Sequence, residues 1–356
     1  MKRTVSFLLV IALVFSMLIF SVGCNEDGEN EYATHTAEIS YTHFNTASLL
    51  STYQDISKEQ FDSYIKVSDE MLGYYHKLFD IYFEYSGINN LKTVNKNAGI
   101  APVTVDEELI VFLEYCKELY TLTQGKTNIM LGSVLKLWHE ARETATENGG
   151  TLDGSLLPTE TALAEAALHT SIDLLVIDRE AKTVFITDPK ASIDVGATGK
   201  GYAAKKLADK LKTLGADSTV LNAGGNIVTI GVKPSGGKWV TGIRNPDLSS
   251  SESLICRIEI GETSIVTSGD YERFFVSGDR KYHHVIDPVT LMPADHFSSV
   301  TILAEDSGLA DALSTALFCM PYEEGLALIN SIGNVDAVWV YKDGTLKSTD
   351  GVKIVK

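Results

Sequence analysis

Ala191-Ser192-Ile193-Asp194-Val195-Gly196-Ala197-Thr198-Gly199-Lys200-Gly201-Tyr202 reads as an apolar strand that turns through glycines into a helix. Glycine admits positive φ and close backbone approach. A helix that starts here offers unpaired N–H groups and the positive end of its dipole, and Lys200 adds a full charge. That combination suits a phosphate. It is not a P-loop, because GxxxxGK[ST] needs a glycine five positions before the Gly-Lys pair and a hydroxyl after it. Here Gly196 stands three positions before Gly199, and Gly201 follows Lys200. An ordinary strand-to-helix turn has the same composition.

Upstream of this stretch the chain reads as helical. Phe61, Ile65, Met71, Leu72, Tyr75, Leu78, Phe79 and Tyr82 recur mostly at three- and four-residue steps and mark one buried face. Asp106 opens a second helix carrying Leu109, Phe112, Leu113, Cys116 and Leu119, which stops near Gly125; a third lies around 134–145. After Gly149-Gly150 the character turns β-rich, with strands expected at 173–178, 183–187, 219–222, 227–232, 239–244, 254–260, 271–276, 299–304 and 335–341. Helices interrupt them at 202–214, 308–319 and 322–331. Strands separated mostly by short turns argue for α+β, a helical N-terminal part packed on a mostly antiparallel body, and against a doubly wound parallel sheet.

Lys2 and Arg3 precede an apolar run from Val5 to Phe20, followed by Ser21-Val22-Gly23-Cys24 and a polar, acidic stretch. This is the n-region, h-region and small-residue cleavage site of an exported protein. The run is shorter than the roughly 20 residues a spanning helix needs. Cys24 after small residues is similar to a bacterial lipobox, although Ser21 stands where Leu is usual. The expected organisation is a lipoprotein signal peptide at 1–23, an acidic tether at 24–40 and one folded domain at 41–356. The protein is then anchored by lipid at Cys24 on the extracytoplasmic face of the cell membrane. Cys116, Cys256 and Cys319 remain, an odd and widely spaced set that is no disulfide framework.

With 30 Lys and Arg against 47 Asp and Glu, the net charge of -17 excludes a protein that grips nucleic acid through a broad basic face. An anionic ligand must be neutralised locally. Asp311 and Thr315, four apart, project from one face of a helix and offer the hard oxygens that Mg²⁺ takes, though an Asp near a helix start also serves the dipole. His283 and His284 are adjacent on a strand and point to opposite faces, so at most one serves a site. An imidazole there suits a general base. Asn222-Ala223-Gly224-Gly225-Asn226 is a tight turn or a place of close ligand approach. Thr267-Ser268-Gly269-Asp270-Tyr271 reads as a polar turn entering a strand and lacks the elbow of a serine nucleophile.

In order along the chain, Asp194-x-Gly196-Ala197-x-x-Lys200-Gly201-Tyr202, Asn222-x-Gly224-Gly225, Thr267-Ser268-Gly269-Asp270, His284-Val285-Ile286-Asp287-Pro288 and Ala310-Asp311-Ala312-Leu313-Ser314-Thr315-Ala316 resemble the ApbE family of flavin transferases. The resemblance covers about 41–341. It implies an ApbE-like, T-fold-like single domain and Mg²⁺-dependent transfer of FMN from FAD to a Thr or Ser hydroxyl of a partner protein, releasing AMP. Hydrolysis of FAD to FMN and AMP, or non-catalytic flavin binding by a lipoprotein, are the alternatives. The partners it implies are subunits of membrane redox pumps or extracellular electron-transfer proteins. By position, Asp194 and Lys200 hold FAD, while the Ala197 carbonyl, Asp311 and Thr315 hold Mg²⁺. His284 is the base, and Val285 and Tyr82 line the flavin site. Asn128 belongs with the cofactor contacts, in Gly125-Lys126-Thr127-Asn128, where the family often has Gly-x-Phe-Asp. Phe44-Asn45-Thr46 replaces Met-Gly-Thr, and Leu291 replaces a glycine.

Overall fold

Eight strands, each antiparallel to its neighbours, make the central sheet of the computed structural model, which describes residues 23–24, 30–31 and 33–355. Across the sheet the order is Leu346–Ser348, Asp336–Val340, Ser299–Ala304, Ser264–Gly269, Asn226–Ile230, Thr219–Ala223, Ser48–Thr52 and His35–Ser40. The helices are α1 (Lys58–Phe79), α2 (Leu91–Lys96), α3 (Glu107–Leu122), α4 (Gly132–Glu147), α5 (Glu160–Ala167), α6 (Gly199–Thr213), α7 (Ser307–Phe318) and α8 (Tyr322–Ile332). One sheet face carries α1, α6 and α7. The other meets a three-stranded antiparallel sheet of Trp239–Arg244, Leu254–Ile260 and Lys353–Val355, with Trp239, Ile258, Ile265 and Val338 sealed between. The class is α+β, as the spacing of strands and turns predicts.

Local chemistry sets the helix ends. Ser57 caps α1 by accepting from the Gln60 N–H, and Asp106 caps α3 by accepting from the Glu108 N–H. Phe61, Tyr64, Leu72 and Leu78 are buried along α1, each such side chain contributing about 1.5–3 kcal/mol of transfer free energy.

Several expectations need correction. The folded body begins before residue 41: His35–Ser40 pairs with Ser48–Thr52, so the end of the expected tether is an edge strand. Its hydroxyls satisfy one another across strands, with Thr36 Oγ1 donating to Ser51 Oγ at 3.0 Å. The signal segment and most of the acidic stretch lie outside the described residues. Ser264–Gly269 is a strand in the middle of the sheet, where a turn was expected at Thr267–Asp270. The expected strand at 271–276 is Phe274–Ser277. The stretch before α6 is extended but pairs with no strand: the Asn95 amide takes the place of a partner, accepting from the Ile193 N–H at 2.7 Å and donating to the Ile193 carbonyl at 2.9 Å.

Helices α6 and α7 cross where the side chain vanishes. A Cβ at Gly201 would lie 2.3 Å from the Ser307 carbonyl oxygen and 2.5 Å from Asp311 Cβ. A hydroxyl residue of the P-loop type cannot occupy this position, and the start of α6 is thereby pinned to α7.

Candidate active site

A cleft of about 1080 Å³ opens beside the start of α6, lined by Asp194, Ala197, Lys200, His284, Asp311 and Thr315 among others. These residues come from three distant parts of the sequence. Thr198, the N-cap of α6, makes no capping bond with its side chain; the Gly199 N–H is taken by the Val195 carbonyl at 2.8 Å and the Gly201 N–H by Asp311, while Gly199 and Lys200 line the cleft. Asp311 is buried on α7; its Oδ2 accepts from the Gly201 N–H at 2.8 Å, and its Oδ1 stands 3.9 Å from Lys200 Nζ. Thr315, one turn on, has its hydroxyl 3.5 Å from Ser268 Oγ. Lys200 also donates to Asn226 Oδ1 at 3.4 Å.

The Asn222–Asn226 segment is a hairpin turn. Gly224 and Gly225 adopt φ of 60° and 93°, and the Asn222 side chain accepts from the Gly225 N–H at 2.9 Å. Glycine is needed at 224 for space as well, because a Cβ there would meet Thr46 Cγ2 at 2.2 Å. Thr46 closes Phe44-Asn45-Thr46, and Asn45, standing where the family has glycine, sits at φ 54°. Asparagine is among the residues that tolerate this region best. Leu291 likewise adopts φ 61° at the other glycine position, held by its N–H to the Asp287 carbonyl at 2.8 Å.

His283 ends the strand Arg280–His283, and the two imidazoles part as expected. His283 is buried away from the cleft, edge-on to Phe318, donating from Nε2 to the Ala294 carbonyl and accepting the Val285 N–H at Nδ1. Burial pushes its pKa down to about 4. His284 lines the cleft with an enclosed Nδ1 that has no partner among the described residues. Burial first, then Arg273, His283, Arg142 and Lys200, hold its pKa well below the ordinary histidine value. It is therefore neutral near pH 7 and able to accept a proton.

Tyr82, half-exposed, stands over the same end of the cleft, its hydroxyl 3.3 Å from His139 Nδ1. His139 Nε2 in turn lies 3.9 Å from Asp194 Oδ2, while Asp194 Oδ1 accepts the Gly196 N–H and shapes the turn. Val285 is buried beside the cleft. Asn128 reaches the wall, its amide donating to the Thr170 carbonyl and accepting the Met130 N–H, so it fixes a loop and keeps one N–H of its NH2 group for a ligand. Asp287 is paired with Lys126 at 2.9 Å, and Asp270 with Lys281 and Lys342, so neither is a free base. His139, Arg142 and Arg273 also line the cleft and were not singled out from the sequence, whereas Asn226 closes the glycine turn that was. A helical step joins Leu135, Trp138, His139 and Arg142, and that spacing was the available signal.

One carboxylate with a hydroxyl and a backbone carbonyl is an open, hard-oxygen donor set. It fits a Mg²⁺ that keeps water and phosphate oxygens among its ligands. Among the described residues no cluster of three His, Cys, Asp or Glu makes a closed cage. The unpartnered Asn226 Nδ2 and His284 Nδ1, both enclosed at the cleft, are polar atoms left for a ligand to satisfy.

The sequence signature of the ApbE family matches residues 42–339. An FAD:protein FMN transferase of Treponema pallidum is 33% identical over 278 residues, which cover 74% of this chain and 73% of the relative. One from Klebsiella pneumoniae is 29% identical over 251 residues, 70% of this chain and 74% of the relative. The crystal structure of the ApbE protein of Thermotoga maritima superposes with a TM-score of 0.75 at 26% identity, covering 89% of this chain and 97% of that one. With a match that spans far more than half of its length, the chain belongs to the ApbE family.

Proposed function

We propose that this protein transfers FMN from FAD to a Thr or Ser hydroxyl of an exported or membrane redox protein and releases AMP. The observation that carries the reading is the meeting of Lys200, Asp311, Thr315 and His284 in one cleft at the start of α6. Lys200, at the positive end of the α6 dipole, binds the pyrophosphate of the substrate, which an acidic protein otherwise repels. Asp311, Thr315 and the Ala197 carbonyl would hold a Mg²⁺, which would supply Lewis-acid neutralisation of phosphate charge. Gly201 and Asp311 hold that carboxylate rigid through their 2.8 Å bond. Neutral His284 takes the proton of the attacking hydroxyl. Tyr82 and Val285 flank the flavin, and the walls limit water at the attacked phosphorus. Relatives at 29–33% identity that are FAD:protein FMN transferases support the same reaction.

The test is incubation of mature protein with FAD, Mg²⁺ and acceptor candidates from the same organism, reading covalent flavin fluorescence on a denaturing gel. Absence of both labelled acceptor and AMP overturns the reading. We also propose attachment to the extracytoplasmic face of the membrane through lipid on Cys24, supported by Lys2, Arg3 and the apolar run. Mass spectrometry of membrane-extracted protein should find diacylglyceryl mass on a peptide starting at Cys24; an intact Met1 terminus refutes it.

A further inference from the structure

Leu135, Trp138, His139 and Arg142 form one face of α4, and that face lies on the hairpin that leads into His284. Trp138 stacks on Tyr282 with ring centroids 5.8 Å apart, and Tyr282 stacks on its cross-strand partner Phe275 at 5.4 Å. Phe274 opposes His283 in the ladder. The pair beyond is Arg273 and His284, joined by the His284 N–H to the Arg273 carbonyl at 3.0 Å. Two residues on from Phe275 and Tyr282, Arg273 and His284 emerge on the same face as those rings. Arg142, one turn beyond Trp138, reaches that pair. Arg142, Arg273 and His284 accordingly share one end of the cleft.

Among the described residues, neither guanidinium has an ion-pair partner; Glu143 and Asp194 act on Arg142 only at longer range. Burial and the charge of Arg273 both work against the proton on Arg142. Arg142 is partly buried and Arg273 exposed, and two like charges held near one another are costly until an anion joins them. The base also tells which anion. A base must sit beside the attacking hydroxyl, hence beside the phosphorus under attack, and both arginines are near enough to act on His284.

We propose that Arg142 and Arg273 hold the non-bridging oxygens of the FMN phosphoryl group as it is transferred. The inference rests on the transferase reading above and adds two residues to it. In the step, the acceptor oxygen bonds to the FMN phosphorus and its proton passes to His284. The phosphorus–oxygen bond to AMP breaks, and AMP departs with the electron pair. The arginines form no covalent bond; they offer planar, doubly donating groups to charge that builds on the equatorial oxygens.

Equilibrium binding of FMN and of riboflavin, read by flavin fluorescence, isolates the phosphoryl group without any acceptor. Wild-type protein should bind FMN more tightly than riboflavin. Arg142→Gln and Arg273→Gln should each weaken FMN by roughly tenfold to a hundredfold. Riboflavin affinity should be unchanged, which also reports an intact fold, and Arg142→Lys and Arg273→Lys should recover part of the FMN preference. A wild type with no preference for FMN, an unchanged preference in both Gln variants, or parallel loss of both flavins overturns the assignment. An unchanged preference with a raised KM for the acceptor would place the arginines on the acceptor chain instead. Failure of the parent reading is a different result, namely wild-type protein that gives neither labelled acceptor nor AMP from FAD and Mg²⁺.

Discussion

The Gly201 N–H donates to Asp311 Oδ2 at 2.8 Å, at a point where α6 and α7 are so close that residue 201 has no room for a Cβ. One contact thus joins the phosphate-facing helix start to the carboxylate proposed for the metal. Gly201→Ala drives a methyl into the Ser307 carbonyl and Asp311 Cβ, backbone-level obstacles that no rotamer change relieves. The expected cost is about 1–3 kcal/mol with loss of AMP release, since α7 must shift. Thermal melting and turnover of the same preparation check it, and an active variant with wild-type Tm refutes the packing argument.

Asp311 is both a structural acceptor and a proposed ligand, and the two roles separate by substitution. Asp311→Asn keeps an oxygen for the Gly201 N–H and should melt close to wild type, while losing the charge that AMP release requires. Asp311→Ala leaves the buried Gly201 N–H unpaired and should lose about 1–3 kcal/mol as well as activity. If the Asn variant turns over normally, the metal assignment fails.

How much was legible in the sequence follows from these residues. Asp106 and the apolar steps along α1 are local signals, and helices built on them lie where expected. The strand Ser264–Gly269 is not a local object. Thr267 and Ser268 look like turn residues until Thr301 and Ser314, both distant in sequence, accept and donate at 2.8 Å. The strand His35–Ser40 hides for the same reason, its backbone pairing with Ser48–Thr52 and its Thr36 hydroxyl finding Ser51 across the strands. At the site, glycines, Lys200, Asp311 and His284 carry recognisable chemistry in short motifs. Arg142 and His139 do not, because on an isolated helix each reads as solvated, and only the docking of Trp138 on Tyr282 turns their face into the cleft.

Lys126 and Asp287 form a largely buried pair at 2.9 Å, and Asp287 also organises the turn after His284 by accepting the Val289 and Leu291 N–H groups. Lys126→Met strands a carboxylate that is only 8% exposed. Removing one partner of such a pair costs about 3 kcal/mol. The variant should show a lowered urea midpoint and slower turnover, with Lys126→Arg close to wild type. A Met variant as stable as wild type would show that the pair contributes nothing to the turn.

The histidine pair separates chemistry from stability. His284→Ala should slow the chemical step by roughly 10²–10⁴-fold at saturating FAD, because the proton acceptor is gone while Lys200 and the α6 terminus still hold the phosphates. His283→Gln should leave kcat nearly intact and change the pH dependence of folding instead. Above pH 6.5 His283 is neutral both folded and unfolded and contributes no pH dependence. Below it, the unfolded chain takes up a proton that the buried ring refuses until about pH 4, so stability falls as pH falls across that window. The span corresponds to about 3 kcal/mol lost by pH 4 from this ring alone. Urea titrations at steps between those two pH values should give wild type a steeper loss of stability than His283→Gln. Parallel curves would mean that His283 is not the group that charges on acid unfolding, and full activity in His284→Ala would remove it as the base.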